Sequence, residues 1–214
     1  MDDFTYPLFD VDAYTPMCSL DWANETRAMG RNLLIETHVN ALVNSWLTAS
    51  SIASIPTSLI GDLESARPLW DTIQNNVEAR KVIYDAQQGA FILFVDAYNK
   101  FMMACAHTVS ALNMKSAATK HGSAATFFEA TFGKPMLVKC YHNDNVDFFL
   151  KVRDSIVNHC GSIVPLMENE NHDIVVHDRT LRIRHNENML AMSFLSSIVR
   201  EFIQAQSSIS ENGG

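Results

Sequence analysis

Apolar residues recur along most of this chain at the three- and four-residue spacing of helices that bury one face. The clearest case is residues 146–161, VDFFLKVRDSIVNHCG. Val146, Phe149, Leu150, Ile156, Val157 and Cys160 form its expected inward stripe. Asp144 or Asn145 can cap the start, and Gly161 can take the left-handed position past the end. Arg153 interrupts the pattern: seven residues after Val146 and seven before Cys160, it falls in the middle of the stripe. A guanidinium stays charged and is costly to bury unpaired, so this Arg either meets a polar seam or has a chemical role. His159 comes six residues later, in the expected last turn.

The same patterning organises the rest of the chain. Residues 1–18, with Pro7 and Pro16, read as an irregular docking arm. Ser19 or Asp21 caps an expected long helix to about Ser50, with Ile35, Val39, Leu42, Val43 and Trp46 inward. The serine-rich run from Ser45 to Ser58, with Pro56 and then Gly61, is expected to end it. Pro68 suits the first turn of a second helix with Leu69, Ile73 and Val77 inward, and Gly89 is expected to interrupt or kink the chain beyond it. Residues 90–112 are apolar on nearly every side (Phe91, Phe94, Val95, Tyr98, Phe101, Met102, Cys105, Val109), which places them at the centre of a bundle. Residues 113–122 read as a loop, and 124–132 as a short helix stopped by Gly133 and Pro135. Short β-type runs at 174–176 and 181–184, joined by His177, Asp178 and Arg179, suggest a small hairpin. Residues 187–204 form the last helix, with Leu190, Phe194, Leu195, Ile198 and Phe202 inward, and a polar tail after it. The expected fold is mainly α: a single domain over 1–214, a helical bundle of about five helices with a β-hairpin before the last.

Composition narrows the class without naming an activity. The chain has 214 residues, 47% of them hydrophobic and 19% charged, as in ordinary globular domains. Its start, MDDF, lacks the positive region of a signal peptide, and its densest apolar run, 90–95, meets Asp96 at once, so no membrane span is expected. The four cysteines, Cys18, Cys105, Cys140 and Cys160, form no CxxC, which suggests free thiols and a cytoplasmic location. A net charge of −8 argues against sequence-blind nucleic-acid binding but leaves room for a local basic site. No glycine-rich phosphate loop is present.

The string Arg153-Asp154-Ser155-Ile156-Val157-Asn158-His159, late in a helical chain and succeeded by Cys160-Gly161, short strands and a closing helix, resembles the HEPN superfamily. Its pattern is an Arg, a polar residue and a His a few positions on, and the resemblance is strongest over 90–204. It implies a metal-independent endoribonuclease acting as a cytoplasmic homodimer, with both motifs lining one cleft and no cofactor or metal. Many such members are toxins or phage-defence effectors, and an antitoxin or other protein is then a partner. Other members are inactive and bind a nucleotide or a protein partner; that is the alternative reading here. Arg31 to His38 also fits the spacing, as does Arg179 to His185 on the expected strand. A seven-residue offset returns Arg31 and His38 to one helix face, whereas Arg153 and His159 stand about 120° apart at ~100° per residue. Arg153 and His159 are preferred for their late position, the glycine after them and the strands.

Cleavage of RNA without a metal needs a base for the 2′-hydroxyl proton, donors for the phosphate, and an acid for the leaving 5′-oxygen. His159 suits base or acid, since the reference pKa of histidine, ~6.5, lies near neutrality. Arg153 offers a fixed fork of donors to phosphate oxygens. Asp154 can orient either residue, and Asn158 can donate to a phosphate. Arg182 and Arg184, sharing a strand face with Thr180, offer a basic strip for an RNA backbone. Purely structural roles compete with these. Arg153 can pair with Glu129 or Asp147 and merely hold the bundle, and His159 can merely cap helix carbonyls. His172, His177 and His185 with Asp173 and Asp178, or Cys140 with His142, match no tight zinc spacing. His107, with Asp96 and Lys100, is expected at the polar edge of the central helix, and Trp22, Trp46 and Trp70 are expected to serve packing.

Overall fold

Ser19 opens the first helix, its hydroxyl accepting from the Trp22 amide at 3.0 Å, so Ser19 rather than Asp21 is the cap. The computed structural model describes residues 19–58, 72, 75–112, 124–159, 175–177 and 180–211. The expected arm at 1–18, the helix start at Pro68 and Leu69, Ile73, Trp70, the 113–122 loop, and Cys18, Cys160 and Gly161 lie outside the described residues.

The described chain is mainly helical, with seven helices among the described residues. They are α1 (Leu20–Gly30), α2 (Glu36–Ser58), α3 (Val77–Leu112), α4 (Ala124–Phe132), α5 (Lys134–Cys140), α6 (Asp144–His159) and α7 (His185–Glu211). Before α7, β1 (Val175–His177) and β2 (Thr180–Arg182) pair antiparallel, Val175 opposite Arg182.

The long helix expected from 19 to about 50 is two helices. Arg31 leaves the helical region at φ −60°, ψ 135°, and Asn32 takes the left-handed region at φ 63°. Asn tolerates that conformation better than most residues, and the Glu36 carboxylate accepts from its amide at 2.8 Å. Gly30 lets the two helices meet: a Cβ there would lie 2.8–3.0 Å from Val39 side-chain atoms. The apolar period runs on through this corner, which is why the pattern alone did not mark it. The serine-rich run does not stop α2 at Ser50, because Ser45, Thr48 and Ser51 satisfy their hydroxyls on carbonyls four residues back, at 2.8–3.0 Å. Pro56 falls in its last turn. Gly89 neither interrupts nor ends α3, because one glycine costs only ~1 kcal/mol in a helix held on several sides. Gly133, at φ 85°, separates α4 from α5.

α3 is the axis, touched by α2, α4, α6 and α7. Phe91, Phe94, Val95, Tyr98, Phe101, Met102 and Cys105 are buried along it, while Val109 is half-buried. Trp46 of α2 packs edge-on against Phe94 and donates its indole N–H to the Phe94 carbonyl at 3.0 Å. Trp22 of α1 stacks on Trp46 at 5.5 Å between centroids. On the other side Phe202 of α7 meets Phe101, Phe128 and Phe132. Among the described residues α3 alone is long and apolar enough by composition to cross a membrane, a test that the central helix of a bundle also passes; 56% of its apolar window is buried within the protein. α7 begins two residues earlier than expected and continues to Glu211, and Leu190 points outward at 57% exposure.

A buried polar ladder crosses the core. Asn188 of α7 donates to the Gln87 side chain at 2.8 Å and its carbonyl at 2.9 Å, and Gln87 donates to the Ala53 carbonyl of α2 at 2.8 Å. Those bonds tie three helices at one level.

Candidate active site

Asn143, rather than Asp144 or Asn145, starts α6, its side chain accepting from the Asn145 amide at 3.0 Å. The face that α6 buries is Val146, Phe148, Phe149, Val152, Ser155 and Ile156. It is rotated from the expected stripe. Leu150 is half-buried and Val157 is 46% exposed, so Arg153 stands at the edge of the apolar face and not in its middle. The rotation results from aromatic packing: Phe149 reaches both Phe91 of α3 and Phe194 of α7, and small Ser155 lets the helix sit close.

Arg153 pairs with Asp96 of α3, and with neither Glu129 nor Asp147. Its Nε donates to Asp96 Oδ1 at 2.7 Å and its Nη2 to Oδ2 at 3.4 Å. The two side chains are 30% and 28% exposed. Asp96 was legible only as a polar-edge residue of the central helix; a separation of 57 positions along the chain hid the pairing. Lys151 bonds Asp147 instead, at 2.9 Å along the helix surface.

The remaining candidates gather at the outer end of α6. Asn158 donates to Asp154 one helical turn back, and His159 Nε2 lies 3.9 Å from the other Asp154 oxygen. Asp154 and His159 are each 51% exposed at the side chain. Asp154 thus accepts a hydrogen bond from Asn158 and lies near His159 without bonding it, while Asp96 holds Arg153. α6 remains α-helical through His159, with no loosened last turn, so Arg153 and His159 stay ~120° apart around the axis and ~9 Å apart along it. Along the helix the two side chains therefore leave the axis in diverging directions.

The competing pairs fare differently. Arg31 lies exposed in the corner between α1 and α2, so it and His38 share no helix face. His38 Nε2 instead lies 2.7 Å from Thr108 Oγ1 of α3. Arg179 lies outside the described residues, and His185 is 2% exposed. Of the basic strip, Arg182 occupies β2, whereas the Arg184 guanidinium is bound to Glu187 through Nε at 3.0 and 3.1 Å and through Nη2. Glu187 also accepts from the Arg184 amide at 2.8 Å, closing the first turn of α7. Arg184 is thus spent on a cap. His107 is exposed and stacks on Phe127, ring centroids 4.6 Å apart. Among the described residues no group of three or more His, Cys, Asp and Glu is placed to hold a metal; His172, Asp173 and Asp178 lie outside them.

A second titratable cluster lies in the core. Tyr98 donates to the Cys140 carbonyl at 2.7 Å, and Tyr141 donates to Asn99 at 3.2 Å. Burial pushes the Cys140 thiol up to about 12, and burial likewise raises Cys105, Tyr98 and Tyr141. These thiols are suited to packing and not to nucleophilic work. No family model matches the chain, and no curated protein or solved structure compared with it gives a match.

Proposed function

We propose that the chain is a metal-independent endoribonuclease of HEPN type, built on a helical bundle with the β1–β2 hairpin before its last helix. One observation carries the reading. An exposed Asp154–Asn158–His159 group sits on the last turns of α6, beside a half-buried guanidinium held by a carboxylate of the neighbouring helix. Within one chain the Arg and the His diverge, so the active unit is a cytoplasmic homodimer in which Arg153 of one protomer faces His159 of the other. In that cleft His159 removes the 2′-hydroxyl proton, the 2′-oxygen bonds to phosphorus, and the bond from phosphorus to the 5′-oxygen breaks. The second His159, protonated, gives its proton to the leaving oxygen, and Arg153 holds the phosphate oxygens as their charge grows. The products carry a 2′,3′-cyclic phosphate and a 5′-hydroxyl. Arg182, placed on β2, is the strand residue this reading assigns to the RNA backbone. An effector of this kind, a toxin or a phage-defence nuclease, has an antitoxin or similar protein as its partner.

The test is RNA cleavage in excess chelator by wild type and by His159→Ala at equal folded concentration. Loss in the variant with indifference to chelator supports the reading; equal cleavage by both refutes it. Mixing Arg153→Ala with His159→Ala protomers leaves cleavage far below wild type, since a mixed dimer keeps a single His159 where the shared cleft uses two. A second reading rests on the same divergence of Arg153 and His159: an inactive HEPN-like module that binds a nucleotide or protein partner. A rise in melting temperature with a nucleotide, together with no cleavage of any RNA class, favours it.

A further inference from the structure

The two edges of the Arg153 guanidinium are not equivalent. Nε and Nη2 form one edge, and Asp96 takes it with both carboxylate oxygens, at 2.7 and 3.4 Å. The opposite edge, formed by Nη1 and the outer N–H of Nη2, meets no acceptor among the described residues. The side chain remains 30% open to solvent. A carboxylate on the first edge fixes the plane of the guanidinium, and a planar fork so fixed presents two parallel N–H groups at a set direction. We infer that Asp96 is a positioning residue, which turns the Nη1–Nη2 edge of Arg153 outward as a ready-made fork for a tetrahedral oxyanion, a phosphate above all. The inference rests on the endoribonuclease reading for its place in catalysis, although the oxyanion fork stands on the geometry alone.

Two effects of Asp96 oppose each other, and their balance gives the positioning role its signature. The carboxylate neutralises the guanidinium, which weakens the attraction of the pair for a phosphate in the ground state. It also removes the reorganisation that a free, mobile Arg would undergo as charge develops on the phosphate. Substitution of Asp96 therefore leaves substrate binding unchanged or tighter while slowing the chemical step. A residue that only held the bundle together would alter the fraction of folded protein and leave the ratio of KM to kcat in the folded protein alone.

The experiment has two arms. The first needs no RNA and tracks the Arg153 Nε–H resonance in 15N-resolved spectra, assigned by its absence from Arg153→Lys. In wild type that proton is protected from exchange. Inorganic phosphate shifts the resonance and leaves the protection in place, because the anion docks on the other edge. Loss of protection on adding phosphate, or no response to phosphate, overturns the inference. In the second arm RNA cleavage is measured for wild type, Asp96→Asn and Asp96→Ala. Asp96→Asn keeps the shape and one acceptor, so it controls for folding. Asp96→Ala is expected to lower kcat about tenfold with KM within about threefold of wild type or lower, and Asp96→Asn to fall between the two. In the Arg153→Ala background Asp96→Ala has no further effect. Unchanged kcat in Asp96→Ala, with cleavage still lost in Arg153→Ala, overturns the positioning role while the endoribonuclease reading survives. A wild type that cleaves no RNA yet shows the phosphate response sinks the endoribonuclease reading and leaves the fork.

Discussion

Arg153→Ala separates a guanidinium held for a ligand from one that holds the bundle, and stability is the discriminating quantity. The pair with Asp96 spans α6 and α3, with its best contact at 2.7 Å and side chains 30% and 28% exposed. Fully exposed ion pairs contribute ~0.2–1 kcal/mol. Removing one partner of a fully buried pair costs ~3–5 kcal/mol, because the other charge is left dry. Here Asp96, about a quarter open, regains water when Arg153 is removed. The expected cost, including the apolar stem of the Arg along the helix edge, is ~1–2 kcal/mol. For a chain of this length that lowers Tm by roughly 2–8 °C. Urea unfolding monitored by circular dichroism measures it, with Asp96→Ala and the double variant completing the cycle. The double variant is expected within ~0.5 kcal/mol of Arg153→Ala, since it leaves no charge unpaired. A cost above ~4 kcal/mol, or failure of Arg153→Ala to fold, would assign the pair to the core and refute the account of Arg153 as a side chain poised for phosphate.

Three further outcomes are expected from the packing. Gly30→Ala places a methyl 2.8–3.0 Å from Val39 atoms and is expected to cost ~1–3 kcal/mol; Val39→Ala added to it recovers part of that loss, and strict additivity in urea melts would contradict the close approach. Asn188→Ala strips both acceptors on Gln87 of their donor inside the core, costing ~1–3 kcal/mol, and a stability within error of wild type would show the ladder to be idle. Burial raises the pKa of Cys105, Cys140, Tyr98 and Tyr141 in the folded state, so their contribution to stability is whole below the ordinary thiol range near ~9 and fades as pH climbs toward about 12. Unfolding midpoints are therefore expected to fall from about pH 9 upward, and native alkylation at pH 8 should leave Cys105 and Cys140 unlabelled; flat midpoints or labelled core peptides would contradict it.

Periodicity was enough for what depends on nearest neighbours along the chain. The apolar run around Phe94 and Tyr98 could only be a central helix, and the 124–132 helix could only end where Gly133 takes a positive φ. Caps and corners were less legible, because rival residues stand side by side. Ser19 and Asp21, or Asn143, Asp144 and Asn145, are all competent caps, and backbone direction chose among them. The corner at Gly30–Asn32 carried turn residues, but the hydrophobic period continued through it and outweighed them. That corner also removed the rival Arg31–His38 pair from a common helix face.

The site divides along the same line. The order Arg-Asp-x4-His and its place on an amphipathic helix come from the sequence itself, since they depend on spacing of 100° per residue. The roles of the charges do not. Whether Arg153 meets a carboxylate, which one, and along which edge of its guanidinium depends on how α6 rotates against α3. That rotation is set by Phe149 meeting Phe91 and Phe194 and by Ser155 permitting close approach. It carried Val157 outward, moved Arg153 to the edge of the apolar face and brought it to Asp96. Helical period is a property of the chain; the pairing of charges distant in sequence is a property of packed surfaces, and only the tertiary structure decides it.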